Sequence, residues 1–391
     1  MASPGEQVAV IGGGIVGCAL AYELASRGVP AVLLEAESEL ASGASGSNSG
    51  ILHTGFDSKP GELETELILR ASALRSERLA ELGVPVLRCG ALLRAEGPEQ
   101  LAAVQALAAN ARGNGVAVDA DRSGELRVPG EAVTDPAAYA RALAAAAVAA
   151  GATVMRQATV AALAPARSGG LAVELEGGER LHVRAAANCA GLQADEVAAL
   201  AGERPFAVYP RKGEFLVFEQ PAGQELREIL LPLPSAAGKG VLVFPTVDGH
   251  VIAGPTARDR TDKGDWSVEP DAAELVLEKA RRRYPALEGA EPVALYAGLR
   301  PAGRDVNYVL VRSAALPGLV HAGAIRSTGL SAAPAIAERL AAMLAETGAI
   351  TLGEARPLAA PAGSGPTRVP WWQSAARRSR QSRDANSAGT R

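Results

Sequence analysis

Residues 7–35 read QVAVIGGGIVGCALAYELASRGVPAVLLE, and this stretch decides the fold class. QVAVI (7–11) is apolar and rich in valine and isoleucine, the pattern of a short buried strand. Gly12, Gly14 and Gly17 follow in G-x-G-x-x-G spacing. Residues 15–28 carry apolar positions about 3.6 apart and stop at Gly28, which predicts a helix. AVLLE (31–35) is a second apolar strand, and it ends on an acid, Glu35, 18 residues after Gly17. Each part has a physical task in dinucleotide binding. Gly12 permits a tight turn, Gly14 lets backbone approach a pyrophosphate, and Gly17 lets helix and strand pack closely. The first helical turn, with Ile15 and Val16, offers unpaired N–H groups and a positive dipole end to phosphate. Glu35, with Ala36 beside it, is placed for a ribose hydroxyl. An acid at that point disfavours a 2′-phosphate, so FAD or NAD is expected rather than NADP.

The next segment separates those two. ASGASGSNSG (41–50) is small, polar and glycine-rich, so it can turn backbone N–H groups and hydroxyls toward phosphate and ribityl oxygens. Ser42, Ser45, Asn48, Ser49 and Gly50 are its candidate contacts. Residues 43–61, GASGSNSGILHTGFDSKPG, resemble the segment after the second strand in the D-amino-acid-oxidase-type (DAO) flavoprotein superfamily. The resemblance is to the glycerol-3-phosphate dehydrogenase and L-2-hydroxyglutarate dehydrogenase branches, which carry an NSG-(V/I)-(I/L)-H-(A/S)-G string. It implies FAD as cofactor, and adds Leu52 to its neighbours.

Further strings resemble the same family over roughly residues 5–345. VPGEAVTDP (128–136) is similar to its link into the helix that returns to the FAD domain. GATVMRQATVAAL (151–163) resembles the adenine-side strand, so Thr159 and Val160 are expected to border the adenine. RAAANCAGLQADEVAAL (184–200) resembles a strand–turn–helix in which Ala190 and Gly191 pass close to FAD. YPRKGEFLVF (209–218) and VLVFPTVDGHVIAGPTARD (241–259) resemble substrate-domain strands. YAGLRPAGRDVNYVL (296–310) and GAIRSTGLSAAPAIAERL (323–340) resemble the segments that close the FAD domain, placing Arg326, Ser327, Thr328, Gly329, Leu330 and Ser331 near the flavin. The implied fold is α/β: a glutathione-reductase-type two-domain flavoprotein, with a Rossmann-like FAD-binding domain and an α+β substrate domain built on a sheet. The expected FAD domain is 1–83, 149–205 and 296–355, and the expected substrate domain is 84–148 and 206–295. Alanine-rich helices near 100–112 and 137–150 read as structural.

The character of the chain changes after about residue 356. A Pro- and Gly-rich linker leads to WWQSAARRSRQSRDANSAGTR, and 356–391 is expected to be a disordered basic tail. The alternative is a peripheral membrane contact, with Trp371 and Trp372 entering the interface and arginines meeting anionic lipid. The 391 residues carry 39 basic and 43 acidic side chains, a net charge of −4. Residues 368–391 hold six arginines against one aspartate, a net +5, so the rest carries −9. That balance argues against nucleic acid as a partner. The three cysteines and four histidines are scattered, which gives no disulfide framework and no metal site. No apolar run has the roughly 18 residues of a membrane span, and the first strand leaves no room for a signal peptide, so a cytoplasmic protein is expected, with a location peripheral to the inner membrane face as the alternative.

The chemistry follows from the loop and the closing segments. Hydride leaves a substrate carbon for flavin N5 while the attached hydroxyl or amine loses a proton; the protein must supply a base and an anion anchor. His53 is the leading base, because it alone among the histidines lies in a loop expected to touch flavin, and the family's active-site histidine falls there. His182, His250 and His321 read as surface or structural. Arg300, in GLRPAG, is the leading anion anchor, because a guanidinium binds carboxylate or phosphate through two parallel hydrogen bonds; the rival reading is a salt bridge to Asp305. Arg258, Lys212 and Ser327 are secondary candidates, Arg258 and Ser327 for substrate. Arg326 departs from the family, whose glycerol-phosphate-type members carry Glu or Gln there; a cation at the flavin edge can stabilise negative charge. With no cysteine in 296–335, FAD is expected to be non-covalent. The expected activity is oxidation of a CH–OH group in a small anionic substrate, glycerol 3-phosphate first and an L-2-hydroxy acid second. Amine or amino-acid oxidation, or a non-catalytic FAD subunit, are the alternatives. Oxygen, a quinone or a redox partner would take the electrons.

Overall fold

The computed structural model describes residues 7–234, 240–361 and 369–389. The first strand, Val8–Ile11, is central in a six-stranded sheet ordered 309–312, 319–323, 185–188, 8–11, 31–35 and 153–156. All pairings are parallel except the outer one between Val309–Arg312 and Leu319–Gly323. A strand buried on both sides must be apolar throughout, and this one is. Val8 and Val10 face a helical layer, while Ala9 and Ile11 face a second layer with Val32, Leu34, Leu163 and Val173. The helical layer is Ile15–Ser26 with Pro136–Ala149 and Gly329–Glu346 against it. The opposite layer is an antiparallel sheet of 160–165, 171–175 and 180–183.

The second body is a nine-stranded sheet. Its spine is Val208–Glu219, paired antiparallel to Ala294–Gly303 from Val208↔Gly303 to Val217↔Ala294. The hairpin 242–245/250–254 turns at Asp248–Gly249, where Gly249 has φ of +87°. A small sheet joins the bodies: Ile51–Leu52 pairs antiparallel with Ala132–Thr134, which also pairs with Val86–Leu87.

Three expectations need correcting. Residues 296–303, assigned above to the FAD domain, lie in the nine-stranded sheet, because their ladder partner is the spine strand. The helix Pro136–Ala149, assigned to the substrate domain, packs on Ile15–Ser26; Asp135 caps it by accepting from the N–H groups of Ala137 and Ala138. The tail is not disordered over 371–389: Trp371–Gly389 is a helix that packs on strand Ala294–Gly303. Trp371 and Trp372 are buried, at 2% and 6% exposure, which also leaves the alternative, their entry into a membrane interface, without exposed rings to make it. Part of the expected linker, 362–368, lies outside the described residues. Among the described residues no helix is long and apolar enough to cross a membrane.

Candidate active site

The glycine turn has the geometry that its spacing predicts. Gly12 has φ of +108°, and a Cβ there would lie 2.5 Å from the Cys189 carbonyl oxygen. A Cβ on Gly17 would lie 1.9 Å from the Gly12 carbonyl oxygen, so helix and turn can approach only without a side chain. At Gly14 the sole near atom is Ser45 Oγ, at 3.2 Å; that hydroxyl accepts from the Ile15 N–H (2.9 Å), so this N–H is not unpaired as expected, and the helix N-terminus borders a narrow channel. Ile15, Val16, Ser45, Asn48, Gly191, Gly329 and Leu330 also line that channel, whose volume is about 90 Å³. Glu35 sits at the strand end with its carboxylate accepting from the N–H groups of Gly13 (2.7 Å) and Glu37 (2.8 Å).

The channel shares Ala44, Asn48, Arg300 and Ser327 with a larger cavity of about 590 Å³. His53, Ser49 and Arg326 line this cavity, with Phe215, Phe244 and Leu299 as apolar wall. A long ligand thus has a route from a helix N-terminus, through a backbone-lined neck, into a wide chamber. These are the features a dinucleotide needs, and FAD fits them.

His53 follows strand Ile51–Leu52, and Glu131 precedes its partner Ala132–Thr134. The register Leu52↔Ala132 sets His53 opposite Glu131. Nδ1 of His53 lies 3.0 Å from Glu131 Oε2, and Glu131 is fully buried. Its other oxygen accepts from the Thr54 N–H (2.7 Å) and hydroxyl (2.9 Å). Burial pushes the Glu131 carboxyl up, yet the charge and hydrogen bond of His53 and the Thr54 N–H outweigh it and hold it below the ordinary value. The His53 N–H donates to Ser331 Oγ, and the buried Arg75 donates to the carbonyl oxygens of His53 and Ser331. With Nδ1 engaged, the nitrogen left for a ligand is Nε2.

Arg300 donates to three backbone carbonyls, of Arg211 (3.1 Å), Lys212 (3.3 Å) and Thr256 (2.7 Å). No carboxylate pairs with it among the described residues, Asp305 included. Burial, then repulsion from Arg211 and Arg326, pushes its pKa down to about 10, so it stays charged near neutrality and lacks an anion. Arg326 lines the same cavity, and its guanidinium has no partner among the described residues. Ser327 has φ of +60°, an uncommon conformation for a residue with a side chain, and it faces both spaces.

Other candidates are placed differently. Arg258 lines the cavity but pairs with Glu269 (2.7 Å) and Asp271 (2.9 Å), and hydrogen bonding from Asp271 leads in raising its pKa. Lys212 is fully buried on Asp265. Thr328 is bonded to Glu64 and Tyr308, Ser331 to His53, and Leu52 is packed in the core; none of the three lines either space. Thr159 and Val160 lie beyond Ala158, whose N–H donates to the Glu35 carbonyl; the Ala190 N–H is held by Asn188. Gly50 and Ser42 are loop backbone, Gly50 with φ of +78°. His321 sits between Asn188 and Glu203, His182 is exposed, and His250 pairs with Asp248. Sequence reasoning missed Glu131, Arg75 and the exposed Lys279 at the cavity wall. Among the described residues no acidic, cysteine or histidine group could hold a metal.

The sequence model of the DAO family, described as FAD dependent oxidoreductase, matches residues 7–343. This chain belongs to that family. The flavoprotein is thus an FAD-dependent enzyme of α/β fold. It is 28% identical over 345 residues to a glycerol 3-phosphate dehydrogenase of Caloramator mitchellensis, covering 84% of this chain and 72% of that one. It is 27% identical over 362 residues to a glycerol 3-phosphate oxidase of Mycoplasma pneumoniae, covering 87% and 94%. Its fold is shared with the dithionite-reduced, FAD-bound L-alpha-glycerophosphate oxidase of Mycoplasma pneumoniae, at a TM-score of 0.84 and 24% identity over 94% of this chain and all of that one.

Proposed function

We propose that this flavoprotein oxidises the CH–OH group of glycerol 3-phosphate. One observation carries the reading: a carboxylate-backed histidine and two guanidiniums without carboxylate partners, Arg300 and Arg326, share one cavity. A neutral alcohol gives those cations nothing to bind; a phosphorylated one satisfies them and presents a hydroxyl to the base. The named activities of the two relatives support the same substrate.

FAD, when bound, supplies the hydride acceptor. The protein does the rest. His53 Nε2 takes the hydroxyl proton, and anionic Glu131 offsets the charge that forms on the imidazole. Arg300 anchors the phosphate in a pocket whose backbone carbonyls fix its guanidinium plane, and Arg326 adds positive potential. Phe215, Phe244 and Leu299 keep the reacting carbon in an apolar wall. FAD is held without a covalent link in this reading, because residues 296–335 of the closing segments contain no cysteine. Oxygen is the acceptor to test first, because one relative is named an oxidase. A quinone or protein acceptor is the alternative, and air-oxidation of the reduced enzyme separates them. The substrate test is anaerobic mixing of the holoenzyme with glycerol 3-phosphate, which should bleach the flavin band; no bleaching rejects the reading.

A further inference from the structure

The C-terminal helix Trp371–Gly389 grips the cofactor loop at two points. Trp371 Nε1 donates to the Asn48 carbonyl (3.1 Å), and Arg378 Nη1 donates to the Ser42 carbonyl (2.8 Å). The gripped span, 42–48, includes Ala44, Ser45 and Asn48, which line the channel from the glycine turn. The same helix is fastened to the other body. Ser379 Oγ accepts from the Ala297 N–H (2.9 Å), Trp372 Nε1 donates to Asp248 (3.0 Å), and Ser382 Oγ accepts from the Trp266 N–H (3.0 Å). Arg378 also lies 4.1 Å from the centroid of the Trp266 ring.

The spacing of the buried positions fits this use. Trp371, Trp372, Ala375, Ala376 and Ser379 form one buried stripe, while Gln373, Ser374, Arg377 and Arg380 are exposed. Helices in proteins owe most of their stability to packing of one face, so the order of this one depends on docking. Two small alanines between the tryptophans and Ser379 let the helix sit close to strand Ala294–Gly303.

We propose that this helix is a clasp that completes the FAD site, with Trp371 and Arg378 as positioning residues for loop 42–48. A loop of glycine, serine and alanine has much conformational freedom to lose when it closes on a ligand. Fixing two of its carbonyls before the cofactor arrives removes part of that cost and tightens binding. Because the helix also holds the nine-stranded sheet, it couples the grip on FAD to the wall that carries Arg300. The inference rests on FAD binding and not on the substrate reading, so each can fail alone.

The test uses the full chain. Trp371→Phe keeps the ring and removes the N–H; Arg378→Met keeps the stem and removes the charge. FAD affinity is measured by flavin fluorescence on the deflavinated protein, and thermal melts are run with and without FAD. Each variant should weaken FAD about fivefold to tenfold, the scale of one lost hydrogen bond, and the pair by more. The FAD-free melting temperature should change little while the FAD-induced rise shrinks. Arg380→Ala, on the exposed face, should match the parent. Unchanged FAD affinity in both variants, or equal falls in both melts, overturns the clasp and leaves a merely structural helix. Hydrogen exchange on the parent protein gives a second reading that needs no variant. FAD should protect amides in 42–48 and 371–382 together; protection of the loop without the helix contradicts the proposal.

Discussion

Nδ1 of His53 and Oε2 of Glu131 stand 3.0 Å apart, one step beyond the Leu52↔Ala132 end of an antiparallel pair of short strands. The contact fixes which imidazole nitrogen is free, and it puts a full negative charge behind a group that must accept a proton. A buried carboxylate without its partner is costly, so the two residues act as a unit.

Glu131→Gln should slow flavin reduction about tenfold to a hundredfold, the cost of a charge-assisted hydrogen bond, with FAD still bound. Stability should follow in sign. The Glu131 carboxyl is held below its ordinary value, so its ionised form contributes stability above the ordinary carboxylate range and loses it as pH falls through the lowered value. The gap in melting temperature between parent and variant should therefore be present near neutrality and close in acid. An unchanged rate of flavin reduction refutes the pairing as functional.

His53→Ala should retain FAD and slow its reduction by about a hundredfold or more, as for loss of a general base. Stopped-flow reduction at saturating substrate measures this; a parental rate removes His53 from that role.

Arg300→Met should act on binding. Substrate affinity should fall about tenfold to a hundredfold with a smaller change in the limiting rate. Parent Arg300 is charged and buried, with its pKa pushed down to about 10, so its charge costs stability at every pH below that until an anion arrives. Inorganic phosphate should therefore raise the parent's melting temperature, and should do so less in the variant. Equal phosphate effects contradict the anchor.

Arg326→Gln removes the cation and keeps a polar side chain. Removing a cation from the cavity should lower the flavin midpoint potential by on the order of tens of millivolts, where about 30 mV is tenfold in a two-electron equilibrium. A potentiometric titration with a reference dye measures it, and an unmoved potential places Arg326 away from the flavin.

Much of this was legible in sequence, for a physical reason. The strand–glycine–helix–strand unit and the NSGILH loop are local, and local geometry is written in contiguous residues. Glu131 was not legible, because it is a lone acid in a Pro-Gly-Glu turn 78 residues from His53, and only the register of two short strands joins them. Residues 296–310 were recognisable by their family string, but which sheet 294–303 enters depends on its ladder partner 208–217. Arg258 looked free because Glu269 and Asp271 come to it by folding. The C-terminal helix misled most. Its arginines and serines read as solvated chain, and its apolar stripe amounts to two tryptophans and two alanines whose socket, Asn48 to Asp248, is formed by distant segments.

The central claim is that this cavity oxidises a phosphorylated alcohol at FAD. Anaerobic stopped-flow mixing of the holoenzyme with glycerol 3-phosphate, glycerol, L-2-hydroxyglutarate and glycine tests it most directly. Rapid, saturable bleaching of the flavin band by glycerol 3-phosphate, with little by the other three, is the predicted result. Bleaching by L-2-hydroxyglutarate or glycine while glycerol 3-phosphate leaves the flavin oxidised would contradict it.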